Sequence, residues 1–316
     1  MGVRSLNTLA SYGYKFGSTG LEAVNPASFD VYWIANFGGN SNDTGRGIAV
    51  DSLKNVYITG ITASAGAGSN DALIAKFDSS GTIQWQRTLG GANSDNGFAI
   101  AVDSSHNVYI CGDTDTGGSQ NDEILVAKYS PSGTIQWQRT LGNTGNDKGR
   151  GIAVDSSDNI YITGVTSHDV NTNRIVIAKY NTSGTIQWQR TLAANLHAHE
   201  GYGCAVDGSG NVYVTGQAVI DGGSDFVIAK YNTSGVIQWQ RKLRTTGGQT
   251  DVARAIATDG SGNVYVCGYT GSPSNVLLAK LPGDGSLTGT YGSYEYAAIT
   301  LTDAAGTFTD AAATLT

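Results

Sequence analysis

The sequence predicts an all-β fold: a five-bladed β-propeller of four-stranded antiparallel blades. Three observations predict it. First, the stretch "GTIQWQRTLG" beginning at Gly81 recurs unchanged from Gly133, as "GTIQWQRTLA" from Gly184 and as "GVIQWQRKLR" from Gly235. Second, Trp33, Trp85, Trp137, Trp188 and Trp239 stand 51 or 52 residues apart, and Asp51, Asp103, Asp155, Asp207 and Asp259 stand 52 apart every time. Third, each period holds short runs of Val, Ile, Thr and Tyr that alternate with a period of two, the signature of strands. Five copies of a unit near 50 residues indicate a repeat architecture, and four antiparallel strands per unit make a propeller blade.

Taken in order, the first unit supplies "RGIAVD", "NVYITG", "ALIAKFD" and "TIQWQRTL". "DSLKN" joins the first pair and "DSSG" the last pair, and such Asp/Ser/Gly/Asn segments suit tight turns. On the first run, Ile48, Ile100, Ile152, Cys204 and Ile256 face one way and Ala49, Ala101, Ala153, Ala205 and Ala257 the other. Neither face is polar, so this strand is expected to pack on both sides. The Trp residues are expected between the outer parts of neighbouring blades, each indole N–H with a partner. Asp51 and its equivalents are expected to cap hairpin turns. Lys76, Lys128, Lys179, Lys230 and Lys280 are expected to pair with carboxylates or lay their stems on apolar surface.

The chain ends bear on the blade count. The last unit runs "RAIATD", "NVYVCG", "VLLAKL" and then lacks its fourth strand, while "VYWIANFG" around Trp33 is a fourth strand without three before it. Joining them would complete a fifth blade and close the ring, removing two exposed edges. The expected organisation is an N-terminal segment over 1–29, a propeller over 30–282 and an Ala/Thr/Gly/Tyr-rich tail over 283–316. The tail repeats itself in "LTDAAGTFTDAAATLT" and has strand-like alternation but little apolar bulk, so it is expected to need a partner surface, through added strands or another subunit.

Composition narrows the function. With 40% hydrophobic and 14% charged residues the chain can build a core. A formal charge of −7 disfavours nucleic acid and anionic lipid as partners. No apolar run is long enough to span a membrane as a helix, and the first residues lack the apolar centre of a signal peptide. Three cysteines, Cys111, Cys204 and Cys267, cannot all pair, and they stand where other units carry Thr or Ile, so they read as core residues. No G-x-S-x-G elbow, Walker loop, dinucleotide fingerprint or H-E-x-x-H stretch is present. The expectation is therefore a protein that is not an enzyme and uses no cofactor.

A binding site is expected on one rim. Alternating strand order places the first-to-second and third-to-fourth turns on one side, where they are short and uniform. The remaining connections emerge opposite and vary, as in "ITASAGAGSND", "DTDTGGSQND" and "QAVIDGGSD". Variable loops on a rigid frame commonly carry binding. Two rings are candidates there: Asp43, Asp95, Asp147, His199 and Asp251, and Arg46, Phe98, Arg150, Tyr202 and Arg254. Carboxylates, guanidinium groups and rings around a mouth suit a hydrated cation or a sugar. The bland reading is an Asp that bonds its own turn with an Arg three residues on. In "NLHAHEGYG", His197, His199 and Glu200 are weak metal-ligand candidates without a third ligand fixed by spacing.

The repeat pattern resembles the SBBP-type β-propeller repeat, "IAVDssgNvYvtG" followed by "IAKYn.sGtiqW", over roughly residues 30 to 282. That resemblance implies the fold and little about activity. The terminal stretches "SLNTLASYGYKFGSTG" and "TLTDAAGT" resemble ends of structural proteins of marine tailed phages, cyanophages in particular. This implies a virion protein on a tail, fibre or capsid, contacting other virion proteins through its ends and a host-surface glycan or protein through its rim. A secreted or cell-surface lectin-like bacterial module is the alternative, and a five-bladed glycoside hydrolase or lyase a third.

Overall fold

The computed structural model describes residues 33–316 apart from 118–120, 170–171, 194–198, 221, 272, 314 and 316. The expectations placed on residues 1–32 and on His197 lie outside the described residues. The described chain is an all-β, propeller-like succession of five antiparallel sheets, with no helix among the described residues.

Four sheets take four consecutive strands. The first holds β1 (Asp43–Val50), β2 (Val56–Thr62), β3 (Asp71–Phe77) and β4 (Ile83–Leu89). The second holds β5 (Asp95–Val102), β6 (Val108–Asp115), β7 (Asp122–Tyr129) and β8 (Ile135–Gly142), and the third β9 (Lys148–Val154), β10 (Ile160–Asp169), β11 (Thr172–Tyr180) and β12 (Ile186–Ala193). The fourth holds β13 (His199–Val206), β14 (Val212–Ile220), β15 (Gly223–Tyr231) and β16 (Ile237–Thr245). The fifth has three strands, β17 (Asp251–Thr258), β18 (Asn263–Thr270) and β19 (Asn275–Pro282).

The repeated decamer is explained by what joins one sheet to the next. Its leading glycine has a left-handed backbone, φ +77° at Gly133, and the Trp of the preceding sheet lies against it. A Cβ on Gly133 would stand 2.7 Å from Trp85 Cδ2, so only glycine lets the indole sit there. Trp85 Nε1 and Lys76 Nζ both donate to the carbonyl of Pro131, at 3.0 and 3.2 Å, and Arg87 Nε donates to that of Gly133 at 2.8 Å. The same three-donor latch recurs: Trp188 and Lys179 reach Thr233 O while Arg190 reaches Gly235 O. The repeated Asp caps its turn as expected. Asp51 accepts from Leu53 N, Asn55 N, Asn55 Nδ2 and Tyr57 Oη, which satisfies a buried phenol.

Between sheets the core is continuous. Ala72 and Ile74 of β3 are fully buried against Ile100 and Val108 of the second sheet, and Ile124 and Val126 of β7 against the third. Each such aliphatic contributes about 1.5–3 kcal/mol when removed from water. The three cysteines are free thiols, and burial pushes the Cys204 thiol up to about 12, so it is inert.

The C-terminal tail finds its partner surface on the chain itself. After β20 (Gly289–Tyr291), strand β21 (Tyr294–Ala298) adds to the outer edge of the fourth sheet, β22 (Thr302–Ala305) to the third and β23 (Thr309–Ala312) to the second. The tail thus runs backwards along the outside as a belt, with β20 and β21 on the fourth sheet and one strand each on the third and second. It is part of the sheet assembly rather than a separate appendage.

Ring closure is where the structure departs from expectation. Innermost strands pack in series, β1 on β5, β5 on β9, β9 on β13 and β13 on β17, but no comparable packing joins β17 to β1. Among the described residues, the segment from residue 33 forms no ladder with β19, which stands as an edge strand, so the sheets number three to six strands and form an open arc. The physical reason is angular. Four similar interfaces leave the fifth sheet off the first.

Candidate functional site

The innermost strands carry one irregularity in common. Each pairs with its neighbour through a register shift at the same place: between Gly45 and Gly47, Gly97 and Ala99, Gly201 and Gly203, Ala253 and Ala255, and opposite Thr163/Gly164 for β9. The residue skipped is Arg46, Phe98, Arg150, Tyr202 or Arg254. A β-bulge bends the strand and re-aims the extra side chain. The small residues on either side leave room for it.

These five bulge residues form a row of alternating guanidinium groups and rings across the innermost strands. The Arg46 guanidinium carbon lies 5.4 Å and that of Arg150 4.6 Å from the Phe98 ring centre, so two cations sandwich one ring. Arg254 lies 4.2 Å from the Tyr202 ring and 5.5 Å from that of Tyr269. Tyr202 Oη donates to Glu200 at 2.5 Å, and burial together with that carboxylate pushes its phenol above the usual range. Arg150 Nε is buried without a hydrogen-bond acceptor among the described residues. The row therefore offers guanidinium groups held against rings, one of them short of an acceptor.

The structure splits the ten nominated rim residues. The Arg/aromatic ring stands together, whereas the Asp/His ring is turned into the loops. Asp95, Asp147, His199 and Asp251 are fully buried. Asp147 accepts from Asn143 N and Ser167 N, Asp95 from Gly91 N, and Asp251 from Thr245 N and Oγ1. Asp43 accepts from Gly39 N, Ser64 Oγ and Thr62 Oγ1, and the Thr62 bond above all holds its carboxyl below the ordinary value. These carboxylates bond the fourth-to-first connections and, through Thr62, Ser64 and Ser167, the start of the second-to-third ones; no ion pair with the Arg three residues on occurs among the described residues. Of the weak metal candidates, His199 is buried and Glu200 is engaged by Tyr202, and no group of three or more metal-ligating side chains occurs among the described residues.

Sequence reasoning missed an acidic cluster on the same rim. Burial pushes the Glu123 carboxyl to about 7, with the Asp147 charge adding to it, and the Asp113 carboxyl to about 6 against the pull of Lys148. Lys148 Nζ lies 2.9 Å from Asp122 and 3.7 Å from Asp113. No motif spacing marks these residues, because β6, β7 and β9 bring them together.

The profile of the SBBP β-propeller repeat matches residues 33–65, 84–118, 136–170 and 241–273, and that of a β-propeller domain of unknown function (DUF5122) matches 208–237. Four stretches of the chain thus match the SBBP β-propeller repeat. The chain is 22% identical to an uncharacterized WD repeat-containing protein of Acanthamoeba polyphaga mimivirus, over 83% of this chain and 27% of that one. It is 24% identical to the regulatory protein FlaEY of Caulobacter vibrioides over 33% of this chain and 12% of that one. It thus spans about a quarter or less of these relatives. Among solved structures, an ulvan lyase gives a TM-score of 0.48 at 13% identity, covering 79% of this chain and 69% of that one. Drosophila Plexin A gives 0.45 at 11% identity (79% and 53% covered), and a gluconolactonase from Xanthomonas campestris 0.42 at 14% (75% and 72%).

Proposed function

We propose that this chain is a non-enzymatic structural protein of a phage virion, a tail, fibre or capsid-decorating propeller that binds a host-surface glycan. The observation that carries the binding half is the bulge row Arg46, Phe98, Arg150, Tyr202 and Arg254, with the Phe98 ring between two guanidinium groups and the Tyr202 ring beside a third. Guanidinium groups recognise carboxylate or sulfate substituents bidentately, and the rings between them hold them in place, so an acidic glycan suits the row. Support for the virion half is the resemblance of the terminal stretches to marine phage structural proteins, alongside the distant likeness to a giant-virus repeat protein. The chain's own net negative charge fits recognition by a local cationic row rather than by a general basic field.

The test has two arms. On an array of bacterial surface glycans, Arg150→Ala and Tyr202→Ala are expected to weaken binding about tenfold each, the loss of roughly one stacked or charge-assisted contact. Asp251→Asn is expected to lower stability with little change in affinity of the folded fraction. Mass spectrometry of purified particles is expected to find the protein. Absence from particles with retained glycan binding would favour the lectin-like module. Polysaccharide cleavage abolished by replacing one rim carboxylate would favour the hydrolase or lyase.

A further inference from the structure

The two ends of the arc expose the two halves of the interface that joins every pair of sheets inside it. On the leading side of each sheet, the third strand presents two aliphatic positions to the next sheet. Ile74 of β3, Val126 of β7, Ile177 of β11 and Ile228 of β15 are all fully buried this way, but their counterpart Leu278 on β19 is 71% exposed and its neighbour Val276 86%. On the trailing side the innermost strand presents an aliphatic to the sheet before. Ile100 of β5 is 8% exposed in that role, and its counterpart Ile48 on β1 is 70% exposed, with Val50 at 58%.

Trp33 completes the argument. Its indole lies on Gly81, as Trp85 lies on Gly133 and Trp239 on Gly285. In every complete sheet the Trp on such a glycine belongs to the fourth strand of the preceding sheet, where it pairs opposite a Lys: Trp85 with Lys76, Trp239 with Lys230. Trp33 therefore occupies the place of a fourth strand whose three partners are not among the described residues. Among those residues the fifth sheet has three strands and no fourth, with Lys280 at the matching position of β19.

We propose that copies of this chain associate head to tail, the trailing face of β1 in one copy closing on the leading face of β19 in the next. The incoming copy would bring Ile48 and Val50 onto Val276 and Leu278, and would bring Trp33 beside Lys280. The fifth sheet is thus completed in trans by the residues that complete its siblings in cis. The contact is heterologous, so it generates rings or filaments according to whether the step closes. The open arc favours a second copy over closure within one chain, since four similar interfaces do not bring β17 to β1.

Capped variants test this directly. Wild-type protein in sedimentation velocity is expected to show a concentration-dependent series of oligomers. Ile48→Asp and Leu278→Asp each replace a residue exposed in the single chain, so both are expected to keep the melting profile that the wild type shows when diluted to the monomer. Each alone is expected to be monomeric, with association weakened about a hundredfold or more by a charge at the centre of the contact. Mixed in equal amounts, they are expected to give a dimer and nothing larger, since each supplies the intact face the other lacks. Alkylation of Cys267, partly exposed on the leading side where its counterpart Cys111 is buried, is expected to slow as oligomers form. A wild type monomeric at all concentrations overturns the proposal. So does a mixture that fails to dimerise, or an Ile48→Asp protein that still self-associates, which would mean like faces meet.

Discussion

Single residues in this chain matter through the geometry they leave open. Gly133 combines a left-handed backbone with an indole pressed on its α-carbon. A side chain there costs about 1–2 kcal/mol for the backbone alone, before the clash with Trp85. Gly133→Ala is therefore expected to lower stability by at least about 2 kcal/mol in urea unfolding, whereas Gly208→Ala, with open space around it, should stay near wild type. Charge adds a second residue-scale effect. Glu123 holds its proton up to about pH 7 in the folded chain, against an ordinary value of 4.5. Between those values the folded state binds more protons than the unfolded one, so stability falls as pH rises through that window. Asp113, raised to about 6, acts in the same direction. Glu123→Gln is expected to flatten the fall in melting temperature between about pH 4.5 and 7, read by thermal denaturation across that range.

Among elements, the belt of β21, β22 and β23 is the least ordinary. Its side chains step by seven residues as it passes from sheet to sheet. Asp303 accepts from Tyr231 Oη and Asp310 from Tyr180 Oη, at 3.0 and 3.2 Å. Leu301, Phe308 and Leu315 each lend a carbonyl to a Gln of the sheet behind, Gln240, Gln189 and Gln138, at 3.0 to 3.1 Å. Seven residues is the length needed for one short strand and the hop to the next sheet, which explains the near-duplication in the tail. Removing residues 301–316 would strip backbone partners from β12 and β8 and uncover Leu192 and Leu141 beside them. It is expected to lower the melting temperature by several degrees and to promote aggregation through the bared edges, measured by calorimetry and light scattering.

The whole molecule behaves as a one-dimensional stack bent into an arc. Each sheet contacts chiefly its neighbours, so stability is a sum of sheet and interface contributions. Such a stack has two ends, and each end sheet lacks one interface. The belt lengthens the reach of this cooperativity, tying the second, third and fourth sheets together along the outside. The first and fifth sheets are left with the least support, which is also where the apolar end faces lie. Assembly of copies would therefore stabilise the sheets most exposed to fraying.

The repeat could be read from the chain because its causes are local. Strand alternation, Asp-capped turns and the Gly–Trp spacing all act within one period or the next, so five sheets and the inter-sheet latches follow from residue order. The Arg/aromatic ring was legible for a related reason, since its members share one offset from the repeat Asp, and their small flanking residues mark the bulge. The direction of the buried Asp ring, the acidic cluster around Glu123, the route of the tail and the open ring were decided by tertiary structure. The tail depends on partners roughly 60 to 180 residues away, and the Asp ring and acidic cluster on nearer ones that only folded strands bring together; the open ring depends on how far one sheet turns from the next. That angle is a sum over many packed side chains, and small differences in it, repeated four times, decide whether the ends meet.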